Sequence, residues 1–145
     1  MAIRNIVLEG DPVLYKKSRL IENFDDKLGI LIDDMIDTLK RSGGVGLAAP
    51  QVGVLKRVVV IDVGDGLMEL VNPEIVDSTG EQREEEGCLS CPGQFAVTLR
   101  PKCVTVHAQD RYGNKVIYKG KDLKARAFCH EIDHLDGILF KSRMI

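Results

Sequence analysis

The segment His130-Glu131-Ile132-Asp133-His134 is an HExxH motif. Residues four apart lie one above the other on a helix face, so both imidazoles can grip one metal ion. The glutamate between them is placed to take a proton from a metal-bound water. The chain has three histidines, and this segment holds two of them. The chemistry this predicts is metal-assisted hydrolysis, with the bond to be cut left open.

A catalytic site of this kind takes three protein ligands and keeps one position for water. Downstream of His134 the only donor is Asp136, which points to nearly the opposite side of the helix, and residues 138–145 contain no His, Cys, Asp or Glu. The third ligand must therefore come from upstream. The best candidate is Cys88, in Glu86-Gly87-Cys88-Leu89-Ser90, beside a glycine that lets the backbone approach a partner closely. Cys129 is turned about 100° from His130 on the helix and reads as a buried thiol, while Cys103 and His107 belong to an alternating strand. Two other readings stay open. Cys88-x-x-Cys91 with both histidines could close a structural zinc site, although the gap to His130 far exceeds a zinc-finger loop and Glu131 would be idle. Cys88 could instead be a nucleophile activated by a histidine, which leaves the helical pairing of the histidines without a purpose.

These groups need elements to position them. Leu123, Ala127, His130 and His134 line one stripe of a helix over residues 123–136, with Ala125, Phe128, Ile132 and Leu135 on the far side. Asp122 is the expected N-cap and Gly137 the stop. A helix apolar around most of its circumference is expected to be buried. A second, amphipathic helix is expected over 26–42, where Leu28, Leu31, Ile32, Met35, Ile36 and Leu39 recur at helical spacing before Gly43 and Gly44. Between them, 43–53 reads as a Gly/Ala-rich loop and 57–63 as a strand. Residues 68–77 form another strand, interrupted by Pro73, and 103–109 a third that turns at Tyr112-Gly113-Asn114 into Lys115–Tyr118. Glu84-Glu85-Glu86 reads as a solvated acidic face. The fold class is α+β, with antiparallel strands packed around a central metal-binding helix.

At 145 residues, the chain is expected to form a single catalytic domain over 1–145. A net charge of −2 argues against a direct nucleic-acid patch. No apolar run approaches the ~20 residues that cross a bilayer, and the first residues lack the apolar core of a signal peptide. The expected location is cytoplasmic, where four cysteines are thiols or metal ligands rather than disulfides.

Three segments now stand together: Gly44-Val45-Gly46-Leu47-Ala48-Ala49-Pro50-Gln51, Glu86-Gly87-Cys88-Leu89-Ser90, and His130-Glu131-Ile132-Asp133-His134. In order and spacing they resemble the three motifs of peptide deformylases. The flanking Asp11-Pro12-Val13-Leu14, Val71-Asn72-Pro73 and Leu135-Asp136-Gly137 agree with this. The resemblance implies removal of the formyl group from the N-terminal formyl-methionine of nascent polypeptides, with formate released. It implies Cys88, His130 and His134 as ligands of one metal ion, Fe2+, with Zn2+, Ni2+ or Co2+ as substitutes. Coordination chemistry alone ranks zinc first for this donor set. It further implies Glu131 as general base and acid, and the Gln51 side-chain amide and Leu89 backbone N–H as oxyanion donors. Gly46 would leave room for the substrate, and Val45 and Gly87 would offer backbone contacts to the peptide. Relatives with a longer C-terminal helix use it in some cases to associate with the ribosome. Ribosome association is therefore an open expectation, with that mode of docking in doubt because this chain stops eleven residues after His134.

Overall fold

The computed structural model describes residues 2–145. Five antiparallel strands form one sheet in the order β1-β2-β3-β6-β7, where β1 is Gly46–Ala48, β2 Val58–Ile61, β3 Met68–Thr79, β6 Cys103–Gln109 and β7 Lys115–Lys121. The other two strands, β4 (Gln82–Cys88) and β5 (Cys91–Arg100), pair as a separate antiparallel hairpin. Helix α1 spans Asp26–Ser42 and helix α2 spans Leu123–Leu135. Among the described residues, no helix is long and apolar enough to cross a membrane.

The unbroken apolar run of β2 follows from its place between the helices. Val59 and Ile61 join Phe128, Ile132 and Leu135 of α2 in one core. Val58 and Val60 join Leu28, Ile32 and Met35 of α1 in another. A strand covered on both faces has no solvent side on which to place polar residues, and the period-2 alternation disappears. Strand β6, with more solvent on one face, keeps the alternation: Val104, Val106 and Ala108 are buried while Cys103 and His107 are exposed. The thiol and imidazole of Cys103 and His107 are thus ordinary surface groups of a sheet.

Helix α1 starts at Asp25, whose side chain accepts from the Leu28 N–H at 3.1 Å, and ends at Gly43 in the left-handed region at φ 75°. Helix α2 departs from expectation at its start. Asp122 has φ 56° and makes no capping bond; its carboxylate instead pairs with Lys102 at 2.9 Å. The helix stops as expected, with Gly137 at φ 76°.

Three further differences have local causes. The stretch 43–53 is not simply a loop: it contains β1 and a 3-10 turn, Ala49–Val52. Three residues are too few to show a period, and β1 is a strand because it pairs with β2, Gly46 opposite Ile61. Pro73 does not end β3, which runs on to Thr79 with its pairing to β6 shifted between Val71 and Glu74. Proline cannot donate to the ladder, so the strand bulges there. The hairpin β4–β5 has exposed Phe95, Val97 and Leu99 and a Pro92-Gly93 pair, a pattern that matches neither period cleanly.

Candidate active site

Helix α2 lies against the sheet on its Phe128 face and against β5 on another side. His130 and His134 sit on that buried helix, with ring centroids 4.9 Å apart. Cys88, at the end of β4, brings its Sγ to 3.3 Å from His134 Nε2. The donor atoms of Cys88, His130 and His134 all lie within 4.8 Å of one another, and among the described residues they are the set able to hold one ion together. Cys91 pairs opposite Cys88 in the hairpin and is buried, but it is not part of that set. Cys129 is packed in the core beside Phe128. Asp136 faces away from the site and pairs with Arg57 at 3.0 Å.

The donor chemistry fits a divalent ion. Burial pushes the His134 imidazole down to about 3, so it stands neutral, as a ligand must. His130 Nδ1 donates to Glu86 Oε1 at 2.6 Å, which leaves Nε2 for the cluster. Burial works against a charged His130, but Glu131, Cys88 and Glu86 outweigh it and raise the group well above its ordinary value. A cation belongs in such surroundings, and a metal ion would take the place of the His130 proton.

Glu131 is 4% exposed. Its Oε1 has no hydrogen-bond partner, and its Oε2 is 3.9 Å from His130 Nε2. Burial raises its carboxyl, against the pull of His130, to about 7. A carboxyl with a vacant, desolvated oxygen beside a ligand cluster is suited to exchange protons near neutral pH. Gln51, from the 3-10 turn after β1, is buried and held in orientation. Its Oε1 accepts from the Ala48 N–H at 3.0 Å, while its Nε2 donates to Ser90 Oγ at 3.1 Å and faces Cys88 Sγ at 3.5 Å.

Gln51, Cys88, His130 and Glu131 line a cleft of about 420 Å³ together with Val45, Gly46, Gly87 and Leu89, and His134 adjoins it behind Cys88, 3.3 Å from the thiol. All nine residues singled out from the sequence therefore converge on one place. The glycines are needed there: a Cβ on Gly46 would come within 2.7 Å of Glu131 Oε2, and one on Gly87 within 2.8 Å of the Phe95 ring.

The acidic run is where the sequence reading fails. Glu84 and Glu85 are exposed, but Glu86 is buried at 8% exposure. Burial alone would raise its carboxyl, yet bonds from His130, Arg100 and Thr98 prevail and hold it at about 2. Arg100 grips both Glu86 oxygens, at 2.7 and 3.2 Å, and reaches Asp133 at 2.6 Å. No signal in the run itself set Glu86 apart, because the strand that carries it was not legible and its pairing shifts between Gly87 and Cys88. Nothing local pointed to Arg100, Thr98, Ser90 or Phe95.

The polypeptide deformylase family model matches residues 3–145. A peptide deformylase of Acetivibrio thermocellus is 57% identical over 145 residues, covering 100% of this chain and 85% of the relative. Among solved structures, a peptide deformylase from Legionella pneumophila matches with a TM-score of 0.96 at 46% identity, over 99% of this chain and 87% of that one. One from Ehrlichia chaffeensis in complex with actinonin matches at 0.97 and 37%, over 100% and 90%. The chain belongs to the polypeptide deformylase family, metal-dependent hydrolases of protein biosynthesis, and its α+β fold with antiparallel strands is the fold of those structures.

Proposed function

We propose that residues 1–145 act as one catalytic domain that removes the formyl group from the N-terminal formyl-methionine of nascent polypeptides in the cytoplasm and releases formate. The observation that carries this reading is the unpartnered, buried Glu131 carboxylate beside the converging Cys88, His130 and His134 in a lined cleft. Those three residues would hold one ion, Fe2+ by family habit, with Zn2+, Ni2+ or Co2+ able to replace it. When bound, the ion supplies Lewis acidity toward water and the formyl oxygen.

The protein's own residues do the rest. Glu131 accepts a proton as the water oxygen attacks the formyl carbon. It returns that proton to the departing amine nitrogen as the C–N bond breaks, so that formate and a free amino terminus result. The Gln51 amide and the Leu89 N–H stabilise the charge that develops on the formyl oxygen. Gly46 leaves space over Glu131, and the backbones of Val45 and Gly87 hold the peptide.

The test is an assay of formyl-methionyl peptide against the same peptide without formyl, using protein freed of metal and then reloaded. Formate release that depends on the formyl group and on added metal is expected. Glu131→Gln should keep its metal and lose activity by about 10²–10⁴-fold, the usual worth of a general base. Internal cleavage fragments without formate, or full activity in Glu131→Gln, would overturn the reading.

A further inference from the structure

Arg100 is not needed by the mechanism above, yet its side chain is only 3% exposed. It closes a ring of bonds through three elements. His130 on α2 donates to Glu86 on β4 at 2.6 Å. Glu86 accepts from Arg100 on β5 through both Nε and Nη2. Arg100 Nη1 donates to Asp133 Oδ2 at 2.6 Å, which leads back to α2 one turn beyond His130. From the C-terminal turn, Arg143 adds a second cation to Asp133 at 3.1 Å.

A buried ion ring is a poor way to gain stability, because apolar side chains of the same volume usually do as well or better. It is a good way to fix orientation. A guanidinium is planar and presents its donors in a rigid fork, so gripping both Glu86 oxygens sets the plane of that carboxylate. That plane in turn sets the direction of the single Nδ1–H bond and the tilt of the imidazole. Since Arg100 is anchored on the same helix that carries His130, the ring ties the imidazole to its own backbone and leaves little freedom to swing.

Resting on the proposed metal site, we propose that Arg100 is a positioning residue for His130, holding Glu86 so that the Nε2 of His130 stays directed at Cys88 and His134. The partners of a ligand histidine are worth about 10–100-fold in metal affinity when lost, and the inference assigns that effect to an arginine one bond further out.

The experiment is zinc titration of metal-free, full-length protein against a chromophoric chelator, with ring-nitrogen NMR of the three histidines. Wild-type protein should bind one zinc and show a protected His130 Nδ1–H. Arg100→Met should bind zinc about 10–100-fold more weakly and lose that proton signal while its circular dichroism stays native. Arg100→Lys restores a cation but not the fork, and it should fall between the two. Should Arg100→Met fail to fold, Arg100→Lys carries the test alone. Wild-type zinc affinity and ring signals in the folded variants would overturn the inference without touching the metal site. Wild-type protein that binds no metal would overturn the site itself.

Discussion

Gly46 and Gln51 show how narrowly the cleft is defined residue by residue. A methyl group on Gly46 would sit 2.7 Å from Glu131 Oε2 and 2.8 Å from its Cγ. Glu131 is buried at the wall of the cleft and must shift to admit that methyl. Gly46→Ala should therefore lower kcat by about 10²-fold, the cost of displacing a catalytic group by roughly 1 Å, while the melting temperature shows that the protein still folds. Gln51 is prepared differently: the Ala48 N–H and Ser90 hydroxyl hold its amide in one orientation before any substrate arrives. Gln51→Leu, close to isosteric, removes the amide donor. An expected loss of about 10²–10³-fold in kcat, with KM little changed in steady-state assays, would mark a donor that acts on the transition state. A loss confined to KM would mark a substrate-binding role instead.

At the scale of elements, the placement of α2 matters more than its propensity. Its start is uncapped by Asp122, so the helix is held by packing of Phe128, Ile132 and Leu135 on the sheet and by the turn at its end. Gly137 lies in the left-handed region at φ 76°, and a Cβ there would strike the Tyr15 backbone at 2.6 Å. Gly137→Ala combines a conformational penalty with a backbone collision, and about 2–4 kcal/mol of stability should be lost. Denaturant unfolding checks this: a lower midpoint with an unchanged slope is expected. Helical or strand periodicity made α1, α2 and β6 legible in the sequence, with glycines marking the helix ends, and a run of valines made β2 so. The β4–β5 hairpin was not legible, because exposed Phe95, Val97 and Leu99 on one side and buried Thr98 and Arg100 on the other invert the usual pattern. Its polar side faces the site, and only the position of the site makes that inversion reasonable.

For the molecule as a whole, long-range ties hold the N-terminal segment to the sheet. Asn72, at the bulge in β3, accepts from the Ile21 N–H at 2.8 Å and donates to the Ile21 carbonyl at 3.0 Å. It also donates to Gln109 on β6 at 3.0 Å and occupies a left-handed conformation at φ 51°, which asparagine tolerates better than other side chains. Asn72→Ala should destabilise the protein by about 2–3 kcal/mol through unpaired backbone groups and backbone strain. The melting temperature should fall by several degrees, while the rate per folded molecule stays at the wild-type value, since Asn72 is not among the residues lining the cleft.

The motif resemblance supplied five of the nine residues of the candidate site; residue types and spacing alone named Cys88, His130, Glu131 and His134 and located two helices and most strands of the sheet. Those signals are local: a spacing of four on a helix, an alternation of two on a strand, an empty tail that sends the search for a third ligand upstream. Motif resemblance then joined three distant segments that no local rule connects. The tertiary structure decided what surrounds those residues. It turned Glu86 from one of three surface acids into the partner of His130, brought in Arg100 and Asp133 from two other elements, and left Cys91 outside the cluster it neighbours in sequence. Burial and charge pairing depend on which chains of atoms meet in space. Identical glutamates in a row therefore carry no sign of which one will lose its water.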